Sequence, residues 1–409
     1  MECGLLGRKL SHSYSPQIHK FLGNYTYTLH ELEENQLGEF LQNSCFTGLN
    51  VTIPHKKAII PYCTELTDCA KKVGAVNTIV RKGNRLIGHN TDYYGFHSML
   101  MKSGLDVAHK KVLVLGSGGA AVTVITVLKE LAANVVVISR NGENNYTNLH
   151  LHTDASLVVN TTPVGMYPNV GVSPVDINLF PRLEGVLDLI YNPARTKLLL
   201  DAESKGIVTL NGLWMLVAQA KESAEWFTET KIPDSVIEEI YNTLGTQMQN
   251  IVLIGMPGSG KSTIGKAIAQ SLQRKFVDTD AIIESRANLT IPEIFAQGGE
   301  PLFRQIETGV MADLGKESSL VIATGGGCVT RECNYEHLHQ NSLIVWLQRE
   351  VNKLPTDGRP LSQATSLEKM YDLRRPLYAR CCDIILDNNG DPGDTVAALQ
   401  QIIVKGNKQ

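Results

Sequence analysis

The sequence predicts an α/β protein of more than one domain, on three observations. Apolar runs of strand length alternate with helical spacing along the chain, the pattern of sheets covered by helices. Two glycine-rich turns, at Gly116–Ala121 and Gly255–Thr263, each follow an apolar strand and open a helix. The length of 409 residues exceeds what one hydrophobic core commonly organises.

Composition narrows the partners. Apolar residues make up 43%, charged residues 19%, and the formal net charge is -3, as in soluble globular proteins. There is no basic field to hold nucleic acid, and no apolar run approaches a bilayer span. Met1 to Pro16 lacks the apolar core of a secretory signal. The eight cysteines (Cys3, Cys45, Cys63, Cys69, Cys328, Cys333, Cys381, Cys382) form no C-x-x-C pair. That spacing argues against zinc and against a disulfide framework, so reduced thiols in a cytoplasm are expected.

In chain order, strand Tyr25 to Leu29, helix Glu33 to Leu41, strand Gly48 to Ile53, a helical stretch and strand Val76 to Val80 open the fold. A hairpin turns at Lys82-Gly83-Asn84. Strand Lys111 to Leu115, the turn Gly116-Ser117-Gly118-Gly119-Ala120-Ala121, a helix with Val124, Leu128 and Leu131 on one face, and strand Val135 to Ile138 make one βαβ unit. Gly116, Gly118 and Ala121 fit G-x-G-x-x-A, in which two positions admit a pyrophosphate to the backbone and the third packs the helix. Gly119 and Ala120 complete that cofactor-binding turn. After the second strand stands Ser139-Arg140-Asn141, where a carboxylate would select NAD. An arginine suits a ribose 2′-phosphate, so NADP is the expected cofactor. Strands Leu157 to Asn160 and Gly185 to Ile190 extend the sheet. Helices Gly212 to Phe227 and Asp234 to Leu244 lead to the polar stretch Gly245 to Asn250, where the domain boundary is placed.

Ser13 and Ser15 set two hydroxyls along an extended segment, Lys56 follows a strand in NVTIPHK, and Asp92 precedes a helix in NTDYYGF. A lysine and an aspartate brought together beside polyol-binding groups suit proton exchange during hydride transfer. Taken singly, a surface lysine and a helix-capping aspartate read equally well. The ordered set HSYSP, NVTIPHK, GAVNT, NTDYYGF, GSGGAA and NGLWMLVAQA resembles shikimate dehydrogenase from Gly4 to about residue 244. The resemblance implies a split substrate domain (1–103 and 212–245) around a Rossmann-like NADP-binding domain (104–211). It implies Lys56 and Asp92 as the catalytic pair, with Ser13, Ser15, Thr52, Asn77, Asp92 and Gln219 holding the substrate. Only sixteen residues, 141–156, separate Arg140 from Leu157, so the crossover at the adenosine end is shorter than that family's.

The second half opens on strand Ile251 to Ile254 and the loop GMPGSGKST, a full match to G-x-x-x-x-G-K-[ST] in strand-to-helix context. Gly258 and Gly260 turn backbone N–H groups toward a phosphate, Lys261 reaches the terminal phosphates, and Ser262 offers a hydroxyl to magnesium, with Thr263 following. Strand Phe276 to Asp278, helices Ala281 to Arg286 and Ile291 to Leu314, strands Leu320 to Thr324, Leu343 to Leu347 and Asp383 to Leu386, and helix Asp394 to Val404 complete a P-loop domain over 250–409. Asp278 and Asp280 end a strand where one carboxylate can serve the metal and one a nucleophilic hydroxyl, although either could cap the next helix. Thr324-Gly325-Gly326-Gly327 presents bare backbone to a small polar substrate. Arg304, Arg359, Arg374 and Arg375 add planar donors.

The order GMPGSGKST, DTD, FRQIE, GGG, GRPL and RRPLY is similar to shikimate kinase. That similarity implies ATP and Mg2+ at Lys261 and Ser262, with Asp278 supporting the metal and Asp280 contacting the accepting hydroxyl. Arg304 and Arg374 would bind the acceptor's carboxylate, with Gly326 and Gly327 at its ring. Arg359 would close over the phosphates from a lid. Eleven residues, 348–358, separate Leu347 from Arg359, so that lid is short for the family.

The combined expectation is a fused enzyme that reduces 3-dehydroshikimate with NADPH and phosphorylates the resulting shikimate with ATP. Three other readings stay open. The first half could act on quinate, which strong NAD use would indicate. It could instead be a binding or regulatory module, which indifference to Lys56→Ala would indicate. The loop could belong to another small-molecule kinase, which Asp280→Asn tested with shikimate would address. Oligomeric state is left open, a homo-oligomer included.

Overall fold

The computed structural model describes residues 1–10, 13–354 and 367–405. It divides into two compact units, one of 1–164, 173–191 and 201–241, the other of 165–172, 192–200 and 242–409.

The first unit contains two sheets. Strands β1 (Glu2–Gly7), β2 (Thr26–Glu31), β3 (Gly48–Val51), β4 (Glu65–Leu66), β5 (Thr78–Lys82) and β6 (Arg85–His89) lie in the order β2-β1-β3-β5-β6-β4. β1 runs parallel to β2 and β3, whereas β5 is antiparallel to β3 and β6. Helices α1 (Ser15–Leu22), α2 (Leu37–Asn43) and α3 (Asp68–Val73) lie along this part of the chain.

Helix α4 (Asp92–Ser103) leads to β7 (Lys111–Leu115), α5 (Gly119–Glu130), β8 (Asn134–Ile138), β9 (Leu157–Asn160), β10 (Gly185–Asp188), α6 (Lys197–Glu203) and β11 (Val208–Asn211). The second sheet is fully parallel in the order β11-β10-β9-β7-β8. Val112, Leu113, Val114 and Leu115 of β7 are completely buried, as a strand covered on both faces requires. Helix α7 (Leu213–Thr228) then returns to pack on α4. A Cβ on Gly95 would stand 2.8 Å from the Met215 carbonyl oxygen and 3.0 Å from Gln219 Cβ. Only glycine lets α4 and α7 approach so closely, and this sets Asp92 at the start of one helix beside Gln219 of the other.

Helix α8 (Ser235–Met248) is longer than the spacing predicted. The stretch 245–250, read from sequence as polar connection, is its last turn, the single connecting residue Gln249 and the first residue of β12 (Asn250–Ile254). Met248 is buried, and Arg274 donates to the carbonyls of Thr246 and Gln249, so the backbone groups of this turn have partners.

The second unit is a parallel sheet of β12, β13 (Lys275–Asp278), β14 (Leu320–Ala323), β15 (Ser342–Gln348) and β16 (Ile384–Asp387), in the order β13-β14-β12-β15-β16. The period of two along β12 divides its core. Val252 and Ile254 join one cluster with Ile283, Val310 and Tyr378, whereas Ile251 and Leu253 join the other with Ile264, Ile268 and Leu399. These come from α10 (Thr279–Ala287), α11 (Ile291–Leu314) and α13 (Leu367–Cys381) on one side, α9 (Lys261–Ser271) and α14 (Pro392–Lys405) on the other; α12 (Glu332–His339) precedes β15. The single predicted helix Ile291 to Leu314 is broken at Gly299, whose φ of +64° only glycine adopts readily, two residues before Pro301. Strand order reverses at β12, and ligands of open parallel sheets collect at the carboxyl end of such a strand.

Candidate active sites

In the first unit, a cavity of about 680 Å³ is lined by Ser13, Ser15, Thr52, Lys56, Asn77, Asp92, Gln219 and Ala120. Residues that follow β3 and precede β5, with others from α4 and α7, therefore meet one residue of the glycine turn. Lys56 Nζ lies 2.5 Å from Asp92 Oδ2, with both side chains mostly shielded. Ser13 and Ser15 do not lie on an extended segment as expected. Ser15 begins α1 with Pro16 in its first turn, and the Ser15 N–H donates to Ser13 Oγ at 3.2 Å.

Beneath the cavity the polar groups are connected. Asn77 Oδ1 accepts from the Thr91 N–H at 2.7 Å, and Asn77 Nδ2 donates to Thr91 Oγ1 at 3.0 Å. Thr91 Oγ1 also reaches Ser223 Oγ at 3.0 Å and Gln219 Oε1 at 3.4 Å. Asn50 Nδ2 donates to Ser223 Oγ at 2.7 Å, and Asn50 Oδ1 accepts from Tyr27 at 2.7 Å. A buried network satisfied at this many points fixes its members in place, so Asn77 and Gln219 present set geometries to the cavity.

The remaining residues expected at the cofactor lie at the adjoining sheet edge. Gly116 has φ +107°, a conformation that requires glycine, and a Cβ there would meet Thr161 Oγ1 at 2.7 Å. Gly118 caps α5, and nothing lies within 4 Å of a Cβ placed on Gly118 or Gly119. The turn is therefore bare on its open side, with room for a pyrophosphate, while Ala121 is fully buried against the sheet. The Gly116 N–H donates to the Ile138 carbonyl at 2.8 Å, placing Ser139 and Arg140 next to the turn; Arg140 is exposed.

In the second unit, a cavity of about 620 Å³ gathers Gly258, Gly260, Lys261, Ser262, Thr263, Asp278, Asp280, Arg304, Gly326, Gly327 and Arg374. Positive φ at Gly255, Gly258 and Gly260 shapes the loop, and Lys261 Nζ donates to the carbonyls of Gly255 and Met256 at 3.0 and 2.8 Å. Ser262 Oγ donates to Asp278 Oδ2 at 2.8 Å. A hydroxyl and one carboxylate are hard oxygen donors that suit Mg2+, which keeps several waters. Among the described residues no three His, Cys, Asp or Glu cluster as a metal site. Asp278, not Asp280, caps α10: its Oδ1 accepts from the Asp280 N–H at 3.1 Å.

Arg304 is buried between Glu307, at 2.8 Å from Nη1, and Glu300, at 3.0 Å from Nη2. Burial pushes the Arg304 pKa down, but the two glutamates outweigh it and hold the guanidinium charged. Burial lifts Glu307 above the ordinary carboxylate range against the pull of Arg304. A Cβ on Gly327 would fall 2.1 Å from Arg304 Nη2, and one on Gly326 would fall 2.6 Å from Pro257 Cδ. The Gly326 carbonyl accepts from Arg374 Nη1 at 3.3 Å and from the Tyr378 hydroxyl. Arg375 is exposed and does not line this cavity, being one step off the buried face that carries Arg374. Arg359 lies outside the described residues.

Sequence reasoning missed Tyr191, Glu307 and Arg349. Tyr191 lines the first cavity, edge-on to Tyr14 at 6.1 Å. Glu307 and Arg349 line the second. A glutamate one helical turn beyond an arginine was a readable signal for Glu307, whereas Arg349 and Tyr191 carry none beyond following a strand.

The family model described as Shikimate dehydrogenase substrate binding domain matches residues 5–79, and that described as Shikimate kinase matches residues 257–404. A shikimate dehydrogenase (NADP(+)) of Clostridium beijerinckii is 34% identical over 259 residues, covering 58% of this chain and 96% of its own. A chorismate mutase/shikimate 5-dehydrogenase fusion protein from Clostridium acetobutylicum is similar in structure, with TM-score 0.57, 36% identity, and coverage of 59% of this chain and 96% of that one. So is shikimate 5-dehydrogenase from Thermus thermophilus in complex with NADP(H) and shikimate, with TM-score 0.54, 30% identity, and coverage of 59% and 99%.

Proposed function

Because the chain belongs to the shikimate dehydrogenase family and carries a shikimate kinase domain at 257–404, we propose that it performs two consecutive reactions, reduction of 3-dehydroshikimate and phosphorylation of the 3-hydroxyl of the product. We assign the first to residues 1–245 and the second to residues 250–409. The observation that carries the first is the cavity holding both the Lys56–Asp92 pair and Ala120 of the cofactor turn. NADPH supplies the hydride when bound, and ATP with Mg2+ supplies the phosphoryl group.

In the first site Lys56 gives a proton to the oxygen of the ketone being reduced, and Asp92 holds the ammonium in line. Ser13, Ser15, Thr52, Asn77 and Gln219 orient the hydroxyls and carboxylate, on the buried network described above. Gly116, Gly118, Gly119, Ala120 and Ala121 would cradle the NADPH pyrophosphate at the start of α5, with Ser139 and Arg140 at the 2′-phosphate. In the second site Asp280 accepts the proton of the attacking hydroxyl, and Arg304 and Arg374 pair with the acceptor's carboxylate. Gly258, Gly260, Lys261 and Thr263 would line the phosphates, with Ser262 and Asp278 at the metal. Arg359 would neutralise charge there from the lid.

The same reading carries small-molecule substrates, a cytoplasmic place, and neither nucleic acid nor membrane as partner. No helix of the described residues is long and apolar enough to cross a membrane. The test is an assay with 3-dehydroshikimate, NADPH, ATP and magnesium. NADPH should be oxidised and ADP should appear only after shikimate has formed; absence of both activities would overturn the reading.

A further inference from the structure

Arg349 stands apart from the other cations of the second cavity. Lys261 is bonded to loop carbonyls, Arg304 to two glutamates and Arg374 to the Gly326 carbonyl. The Arg349 side chain is half-buried with its Nε out of contact with solvent, and among the described residues no hydrogen bond reaches that nitrogen. A guanidinium N–H shielded from water without an acceptor is costly, and a cation so placed beside a cavity suits an anion.

Its backbone is tied to the phosphate loop from two sides. Trp346 of β15 pairs with Ile254 of β12, and the Leu347 carbonyl oxygen lies 2.6 Å from where a Cβ on Gly255 would be. The Gln348 carbonyl accepts from the Asn388 N–H at 2.8 Å, and Asn388 Nδ2 donates to the Ser259 carbonyl at 2.6 Å. Arg349 therefore leaves the sheet at the loop's own edge, into the cavity that Gly258, Gly260 and Lys261 also line. The acceptor's carboxylate already has two arginines, Arg304 and Arg374. The anion left for Arg349 is the polyphosphate.

We propose that Arg349 is a phosphate-binding residue of the kinase site, donating to the nucleotide's polyphosphate from the carboxyl end of β15. This rests on reading residues 257–404 as a shikimate kinase. In this short-lidded chain it supplies positive charge from the rigid sheet, independently of Arg359.

The test compares the full-length chain with its Arg349→Met and Arg349→Lys variants. In Arg349→Met, kcat/KM for ATP should fall about ten- to hundredfold and Mg-ADP, measured by calorimetry, should bind about tenfold more weakly. Shikimate binding without nucleotide should stay within about twofold of the parent, which also reports that the kinase domain is folded. Arg349→Lys should recover part of the loss. Unchanged ATP and ADP parameters in a variant that still binds shikimate would overturn the proposal, as would a change confined to shikimate. If Arg349→Met does not bind shikimate, Arg349→Gln, also uncharged, decides by the same measurements, and KM for ATP, kcat and Mg-ADP affinity equal to the parent in that variant would overturn it. Failure of the underlying reading is distinguishable, since the parent chain would then form no ADP with shikimate at all.

Discussion

Lys56 Nζ and Asp92 Oδ2 lie 2.5 Å apart although they are 36 positions apart in sequence. β5 and β6, inserted beside β3, bring the start of α4 back to the residues that follow β3. On the proposed assignment, removing the lysine takes away the proton donor. Lys56→Met should lower the kcat of NADPH oxidation with 3-dehydroshikimate by about 10²- to 10⁴-fold, with ADP formation from added shikimate unchanged. A kcat within about threefold of the parent would remove Lys56 from the chemistry.

Gly327 and Arg304 offer a steric test of the acceptor site. The φ of Gly327 is -105°, open to any residue, so alanine meets no backbone strain there. Its methyl would nevertheless occupy space held by the Arg304 guanidinium. Gly327→Ala should raise the shikimate KM of the kinase by about tenfold or more while leaving the KM for ATP nearly unchanged. Initial rates over a grid of both substrates separate the two.

The two glycines of the cofactor turn should respond differently. Gly116→Ala must place a side chain at φ +107° against Thr161, which destabilises the fold by roughly 1–2 kcal/mol or more. Gly118 has φ -79° and open space, so Gly118→Ala should fold normally and instead raise the KM for NADPH, because its methyl stands where the pyrophosphate would approach. Thermal melts without cofactor, set beside NADPH titrations, distinguish the outcomes.

His19 predicts a pH dependence of stability in the first unit. Burial holds its pKa down at about 3, against 6.5 when unperturbed; its ring stacks on Tyr27 at 4.0 Å, with Nδ1 2.7 Å from the Tyr25 hydroxyl. The unfolded chain takes up a proton near 6.5 that the folded chain refuses until about 3. Its contribution is therefore complete above 6.5 and is lost as pH falls through that window, by roughly 1.4 kcal/mol per pH unit. His19→Gln should flatten the slope of urea stability between about pH 6 and about pH 4 by up to this amount. An unaltered slope would show that His19 does not titrate with unfolding.

Elements with strong local periodicity were legible in the sequence. The strand, glycine turn, helix and strand at 111–138 and the phosphate loop with its flanking strand and helix all stand where spacing placed them. What sequence did not carry depends on contacts between distant segments. Nothing local singles out Arg349; the register of β15 against β12 puts it beside the loop. The Asn50–Ser223–Thr91 network joins a strand, a helix more than a hundred residues later and a turn between them, and no window contains it. Local competition produced the remaining differences. Pro16 stands in the first turn of a helix where an extended segment was read, Gly299 breaks one that apolar spacing continued, and buried Met248 prolongs α8 through polar neighbours.

Asp278 divides its two carboxylate oxygens between Ser262 and the backbone of Asp280. One oxygen thus faces the side of the cavity where the nucleotide's metal would sit, and the other fixes the first turn of the helix that carries Asp280, the proposed base. On the proposed roles, whatever draws this carboxylate toward a cation would also pull on the backbone of Asp280. Such a linkage works in both directions: any factor by which the metal nucleotide tightens the hold on shikimate is the factor by which shikimate tightens the hold on the nucleotide. On the proposed assignment a single side chain would link the two substrates, and at low substrate supply such a site would favour being fully loaded or empty over being half filled.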